Sequence, residues 1–362
     1  MNNVNSNNIK VMIMAGGTGG HVFPALAVAQ ELIKRGCDVQ WFGTRNGIEA
    51  RIVPANNIPL NFLEISGLRG KGFKALLLAP WKILNAIYAA KRILKQFKPN
   101  VVLGMGGYAS GPGGIAAWLL GTPLVIHEQN ARPGSTNKWL ARFAAEVLSG
   151  FPEVLPKTQC IGNPVREEIA SLPEPLQRGV GTHEPLQLLV LGGSLGAQAI
   201  NEVVPAALQL LDGQINLHVR HQCGAKHYEQ TLANYRMHQV NGDVVAFIDD
   251  MASALAWADL VICRAGALTV SELSAAGIAS ILVPFPHAID DHQTANAQWL
   301  VDQGAAEIRQ QSVLNAKELS SLIMSFSNNK NKVLEMAQAA RSVAKPFATQ
   351  KCADICMEVA HG

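Results

Sequence analysis

The stretch Val261-Ile-Cys-Arg-Ala-Gly-Ala-Leu-Thr-Val-Ser-Glu272 continues as Leu273-Ser-Ala-Ala-Gly277, Ser280-Ile-Leu-Val-Pro-Phe-Pro286 and Asp290-Asp-His-Gln-Thr-Ala-Asn296. It reads as a buried strand, a turn of small residues, a helix, a second apolar strand stopped by prolines, and a polar loop entering another helix. This is one βαβ unit with a loop after each strand, the repeating piece of an open parallel sheet. Ligands of such sheets sit beyond the carboxyl ends of the strands, so both loops border one crevice. Ala265, Gly266 and Ala267 let a ligand approach the backbone closely. Ser271 and Glu272 follow in the first turns of the helix, where N–H groups without intrahelical partners favour an anion. A carboxylate there accepts hydrogen bonds from sugar hydroxyls while a phosphate takes the amides, which points to a nucleotide-sugar pocket. The competing reading is that Glu272 only caps its own helix.

Upstream, the same grammar recurs. Leu186–Leu191 is a strand, Gly192-Gly-Ser-Leu-Gly-Ala197 a glycine turn and 199–211 a helix; Leu217–His221 and Val244–Ile248 are further strands. Lys10–Met14, Gly16-Gly-Thr-Gly-Gly-His21 and a helix from about Pro24 to Lys34 repeat the order at the start of the chain. The chain therefore looks like two Rossmann-like halves, with the proline-rich 171–185 as their connection. Helices fill 316–344 and 349–360. The first glycine turn runs G-G-T-G-G-H and lacks the G-x-G-x-x-G spacing of dinucleotide binders, which argues against an NAD-dependent oxidoreductase. His21 ends that turn and could deprotonate a hydroxyl near working pH, or could merely hydrogen-bond the loop. A second glycine loop, Gly104-Met-Gly-Gly-Tyr-Ala-Ser-Gly-Pro-Gly-Gly114, follows the strand Val101–Leu103 and opens a helix at 115–120. The next strand, from Pro123, ends in His127-Glu-Gln-Asn130. One diphosphate does not need two such loops unless the ligand is large or the loops divide the work.

A chain of 362 residues with 48% hydrophobic and 16% charged residues has an ample core and two domains by default. Six scattered cysteines form no C-x-x-C pair and read as buried free thiols. The Asn-rich start lacks the apolar core of a signal peptide, and no stretch approaches the ~20 apolar residues of a membrane span, so the expected protein is neither exported nor integral. The net charge of +3 hides a basic first half and an acidic second half. Arg69 to Lys98 holds eight basic residues and no acid. Its helical period runs through Leu77, Trp81, Leu84 and Tyr88. We read the later half, 89–98, as packed on the sheet. For Arg69–Trp81, where Leu76, Leu77 and Trp81 stand beside Lys74 and Lys82, we expect contact with an anionic membrane surface.

Six motifs, in this order, carry a specific resemblance: Gly16 to Pro24, Ile65-Ser-Gly-Leu-Arg-Gly-Lys-Gly72, Leu103 to Tyr108, His127 to Asn130, Gly162-Asn-Pro-Val-Arg166 and Cys263 to Glu272. Together they are similar to the MurG family of peptidoglycan glycosyltransferases, and the match spans essentially the whole chain. The resemblance implies an α/β chain of GT-B fold, two Rossmann-like domains facing a central cleft. The acceptor domain would be 1–163 with the last helix, 344–362, packing back on it, and the donor domain 164–343. It implies GlcNAc transfer from UDP-GlcNAc to the MurNAc 4-hydroxyl of undecaprenyl-diphosphate-MurNAc-pentapeptide (lipid I), giving lipid II.

By motif, uracil lies near Ile248, the ribose meets Glu272, and the diphosphate meets Ser194 and the helix start at Ala267, Leu268, Thr269 and Val270, next to Ser271. Asn130 and Gln293 would hold GlcNAc hydroxyls, with Arg166 also at the donor. Thr18, Gly19 and Gly20 would border the reacting centre, and Gly16, Gly17, Gly106, Gly107 and Tyr108 the lipid diphosphate. The chain departs from the family pattern at Ala265, where serine is common, and at Leu195, where glutamine is common. Inverting transfer needs a base on the acceptor hydroxyl, for which His21 is the first choice and Glu128 the second, and a stabilised leaving UDP, which a helix start supplies without a metal. No D-x-D motif occurs, and no cofactor is expected. The implied setting is peripheral, on the cytoplasmic face of the inner membrane, with cell-wall and division proteins as partners and no nucleic acid. Two other readings remain: a UDP-GlcNAc 2-epimerase, for which the second glycine loop and the basic apolar stretch would have no purpose, and a non-catalytic nucleotide-sugar sensor, which could discard His21 and Glu128.

Overall fold

The computed structural model describes residues 9–65, 73–193 and 195–362, with 73–78 and 289 described by backbone alone. The chain divides into two compact units, Met1–Val165 with Phe347–Gly362, and Arg166–Pro346.

The first unit runs β1 (Lys10–Met14), α1 (Gly19–Lys34), β2 (Asp38–Gly43), α2 (Glu49–Ala55), β3 (Leu60–Phe62), α3 (Phe73–Phe97), β4 (Val101–Gly104), α4 (Ser110–Leu119), β5 (Leu124–Glu128), α5 (Ser135–Leu140), β6 (Glu146–Ser149) and β7 (Gln159–Cys160). The second runs α6 (Glu167–Ala170), β8 (Leu186–Leu191), α7 (Gln198–Leu211), β9 (Leu217–Gln222), α8 (Tyr228–Met237), β10 (Asp243–Val245), α9 (Met251–Trp257), β11 (Leu260–Cys263), α10 (Ala267–Ala276), β12 (Ala279–Leu282), α11 (His292–Asp302), β13 (Ala306–Ile308), α12 (Ala316–Asn328) and α13 (Lys330–Ser342). The last helix, α14 (Ala348–His361), returns to the first unit.

Among the described residues each unit holds one parallel sheet, in the order β3-β2-β1-β4-β5-β6-β7 and β10-β9-β8-β11-β12-β13. Both orders reverse beside the first strand of the unit, between β1 and β4 and between β8 and β11, which is the topological switch point of a doubly wound sheet. The central strands are buried on both faces, which is why they are apolar throughout rather than alternating. In β1, Val11 and Ile13 join a core with α1 and with Cys352, Ala353 and Cys356 of α14, whereas Met12 and Met14 face the opposite core, under α3 and α4. Five of the six thiols are buried and all six are free.

Several local expectations shift. Helix α1 begins at Gly19 rather than near Pro24, and α4 begins at Ser110, so its glycines lie within the helix. They are there for close packing: a Cβ on Gly113 would stand 2.3 Å from the Met14 sulfur, and one on Gly114 2.6 Å from Leu140. The strand expected to reach Ile248 stops at Val245. Asn329 splits 316–344 by capping α13, its side chain accepting from the Lys332 N–H. The proline-rich 171–185 is no loose connection. Arg178 reaches from it to the carbonyls of Leu255, Ala256, Ala276 and Gly277, and buried Asp259 accepts from the Gly181 N–H, which fastens the segment to the second unit.

Candidate active site

In the first unit the switch point brings the two glycine loops together. The Met105 N–H donates to the Met14 carbonyl at 2.8 Å, and the Ser110 hydroxyl lies 2.7 Å from the Gly106 carbonyl and 3.0 Å from that of Met14. A Cβ on Gly107 would come within 2.3 Å of the Gly16 carbonyl oxygen, and one on Gly106 would stand 2.8 Å from Nδ1 of His21. Gly106 and Gly107 have positive φ, 98° and 86° respectively, so glycine is required twice over, by conformation and by room. Thr18 is the N-cap of α1, and its carbonyl receives the His21 N–H. His21, Gly16, Gly17, Thr18, Gly19, Gly20, Gly106 and Gly107 thus form one rim, with half-exposed Tyr108 at its edge.

Three buried polar side chains shape this rim. Glu49, which the sequence did not single out, is fully buried: Oε2 accepts from the Gly17 N–H at 2.9 Å and Oε1 from the Thr44 N–H and hydroxyl. Glu128 is 1% exposed. Its Oε1 accepts from the Asn130 N–H and side-chain amide, and its Oε2 from the Gly134 N–H and the Asn137 amide. Both oxygens are occupied in holding the loop that carries Asn130, and neither is presented to a substrate hydroxyl. Gln129, also missed, faces His21: its Oε1 lies 2.9 Å from the His21 Nδ1. The signal that could have found it is the burial of polar residues at the end of β5, which a strand terminus at a switch point makes meaningful only after the strand order is known.

In the second unit, α10 starts at Ala267 from Gly266, an N-cap with no side-chain bond, and Gly277 closes the helix. The amides of Ala267, Leu268, Thr269 and Val270 lie in its first turn, with Ser271 and Glu272 following. Arg166, 106 residues upstream, donates to Glu272 Oε1 at 2.9 Å. Desolvation pushes the Glu272 carboxyl above its ordinary value, and the charge and hydrogen bond of Arg166 oppose that shift. Buried Asn296 ties α11 to the same turn by donating to the Ala265 carbonyl. Gln293, in the first turn of α11, accepts from the Phe285 N–H through its side-chain oxygen and so holds to the loop after β12. Ile248 is half-buried in the loop after β10. Gln222 links that loop to the glycine turn after β8: its amide donates to the Ala246 and Gly193 carbonyls and its oxygen accepts from the Gly193 N–H. Ser194 lies outside the described residues. Among those described, no group of three or more His, Cys, Asp or Glu is arranged around a cation.

On α3 the core face is Ala86, Ala90, Leu94 and Phe97, and the expected apolar stripe points the other way: Trp81, Leu84 and Tyr88 are exposed, beside exposed Lys82. Trp118 and Leu119 at the end of α4 and Trp139 on α5 are exposed too, and Phe143 joins the two tryptophans at centroid distances of 5.5 and 4.7 Å. The expected contacts Lys74, Leu76 and Leu77 have no described side chains, and the basic motif of 66–72 lies outside the described residues. Among these no helix is long and apolar enough to cross a membrane.

Comparison with known proteins adds three kinds of likeness. Residues 11–149 match the glycosyltransferase family 28 N-terminal domain and residues 187–354 the glycosyltransferase family 28 C-terminal domain. A Marinobacter nauticus protein named UDP-N-acetylglucosamine--N-acetylmuramyl-(pentapeptide) pyrophosphoryl-undecaprenol N-acetylglucosamine transferase is 52% identical over 356 residues, 98% of each chain. The crystal structure of Acinetobacter baumannii MurG matches with a TM-score of 0.85 and 46% identity over 97% of this chain and 99% of that one. A UDP-GlcNAc 2-epimerase from Neisseria meningitidis, bound to UDP-GlcNAc, matches at a TM-score of 0.68 over 97% of this chain and 100% of that one, with 12% identity, which is a likeness of fold alone.

Proposed function

We infer the function from one premise: the chain belongs to glycosyltransferase family 28 and has the GT-B architecture of two Rossmann-like domains. It is a hexosyltransferase of peptidoglycan synthesis that moves GlcNAc from UDP-GlcNAc to the MurNAc of lipid I, giving lipid II, the reaction that names its relatives.

The chemistry assigns roles to the residues above. His21 takes the proton of the MurNAc 4-hydroxyl, whose oxygen attacks C1 of GlcNAc as the bond to UDP breaks, inverting that carbon. Charge develops on the departing diphosphate, and the first-turn amides of α10, from Ala267 to Val270, with Ser194, stabilise it. Glu272 accepts from the ribose and is held by Arg166; Ile248 lies against uracil; Asn130 and Gln293 take GlcNAc hydroxyls. The rim of Gly16, Gly17, Gly106, Gly107 and Tyr108 receives the lipid diphosphate, with Thr18, Gly19 and Gly20 at the reacting centre. In this reading 1–163 with 344–362 serve the acceptor and 164–343 the donor, the leaving group needs no metal, and Glu128 is a positioning residue for Asn130. Trp81, Leu84 and Tyr88, with Lys82, would lie on the anionic cytoplasmic face of the inner membrane, together with the Trp118–Trp139 cluster and its neighbours Lys138 and Arg142, near cell-wall and division proteins.

The observation that carries transfer over epimerisation is the second glycine loop packed against His21. An epimerase has no acceptor for it to hold. The test is UDP release from UDP-GlcNAc with and without a lipid I analogue, with calorimetry of sugar-nucleotide binding to wild type and Glu272→Ala. Acceptor-dependent release and loss of binding in the variant are expected. Release indifferent to the acceptor, or binding unchanged by the substitution, overturns the assignment.

A further inference from the structure

Gln129 occupies a place that determines the protonation of His21. Its side-chain NH2 lies 3.1 Å from the His127 carbonyl oxygen, which can only accept, so the orientation of the amide follows from chemistry. The same NH2 lies 3.2 Å from Nδ1 of His127, which must therefore accept as well and carry no proton. The proton of His127 is then on Nε2, where it meets the Gly162 carbonyl at 2.8 Å. His127 is fully buried, and desolvation lowers its pKa to about 4, so it remains neutral and keeps one tautomer through the working range. The backbone of Gln129 is fastened too, its carbonyl accepting from the Asn163 amide at 3.0 Å. With its NH2 committed on one side, Gln129 presents Oε1 to Nδ1 of His21. An amide oxygen only accepts.

We propose that the chain Gly162–His127–Gln129 is a tautomer lock that keeps the His21 proton on Nδ1 and so reserves the Nε2 lone pair for the acceptor hydroxyl, which makes Gln129 a positioning residue. The proposal rests on His21 as base in the transfer inferred above. It also gives the motifs His127–Asn130 and Gly162–Arg166 a shared task that neither has alone. An imidazole in the other tautomer would point a donor where a base is needed; in Ser-His-Asp hydrolases the wrong tautomer costs about 10⁴ in kcat.

The experiment is long-range ¹H–¹⁵N correlation of the imidazole nitrogens in the whole protein, at a pH where His21 is neutral, with His21→Asn used for assignment. The lock predicts a protonated Nδ1 and a pyridine-like Nε2 for His21 in wild type. In Gln129→Met, which keeps the length of the side chain, the ¹⁵N signals should move toward the Nε2–H form. In the same variant kcat should fall about tenfold or more, with the ~10²–10⁴-fold that a positioned base contributes as the ceiling, at unchanged KM for UDP-GlcNAc. A wild-type His21 protonated on Nε2 overturns the lock, as do signals and kcat that ignore the substitution. The wild-type spectrum needs no variant to fold. A wild type that transfers GlcNAc but shows Nε2–H sinks the lock alone; one that shows Nδ1–H but transfers nothing sinks the functional reading alone.

Discussion

Replacing Glu128 by glutamine separates a loop clamp from a general base, because the two roles predict opposite patterns. In the fold the carboxylate accepts four bonds, two at each oxygen, from the Asn130 N–H and amide and from the Gly134 N–H and Asn137 amide. Glutamine has the same shape, but its oxygen can serve only one pair, and its NH2 then confronts the other pair donor to donor. Two donors lose their acceptor; the full cost of about 1–3 kcal/mol falls only on a buried group such as the Asn137 amide, while half-buried Asn130 and exposed Gly134 cost less, so the first unit should lose roughly 2 kcal/mol. For a unit of about 150–250 residues, where 1 kcal/mol moves the midpoint by about 2–4 °C, melting should fall by about 4–8 °C. Differential scanning calorimetry on wild type, Glu128→Gln and His21→Ala reads this directly. His21→Ala should melt within a few degrees of wild type while losing transfer; Glu128→Gln should melt early and bind UDP-GlcNAc less tightly, because the loop it loosens carries Asn130. A Glu128→Gln variant that melts with wild type yet loses ~10²-fold or more in kcat would refute the clamp and make Glu128 the base.

Other substitutions test neighbouring points. Gly106→Ala forces a side chain into a φ of 98° and a Cβ to 2.8 Å from the His21 ring, so kcat should drop about 10²-fold as the base is displaced, while donor affinity holds; unchanged kcat would mean the loop does not seat His21. Burial holds His127 at about 4 and His221 at about 3, below the ordinary 6.5. In that window the unfolded chain binds more protons than the native one, so stability is full above pH ~6.5 and falls as the pH drops, by roughly 3 kcal/mol for His127 alone at pH ~4. Urea midpoints measured across this range check the sign, and a flat profile would contradict it. Substituting both Trp81 and Trp118 with alanine should weaken sedimentation with phosphatidylglycerol vesicles about tenfold or more, since each ring would bury apolar area in the bilayer interface. Equal sedimentation would remove this face from consideration.

Much of the architecture was legible as local pattern. A run such as Val11-Met-Ile-Met14, followed at once by a glycine turn and a helix, reads as a short strand, and the repeat of that order from Leu186 points to two Rossmann-like halves. Such signals survive in one dimension because strand, turn and helix are each specified by residues within a few positions of one another. Expectation failed at smaller scale where packing overrode composition: the glycines of α4 looked like loop and are helix, since only a missing Cβ admits Met14 and Leu140, and the prolines of 171–185 looked like a linker until Arg178 was seen gripping four carbonyls.

The candidate site divides the same way. Residue types at the ends of strands named His21, Glu128, Glu272 and the helix start of α10, because glycine turns and unpaired amides announce an anion site wherever they occur. Which partners each residue meets there was decided far away in sequence: Arg166 on Glu272 across 106 positions, Gln129 on His21 across 108, and two glycine loops meeting because β1 and β4 are neighbours. No periodicity spans such distances. The sequence alone determined the strand–turn–helix repeats and which residue types stand at their ends; the tertiary structure alone decided which of those ends meet, since strand order and hydrogen-bond direction are properties of the folded sheet.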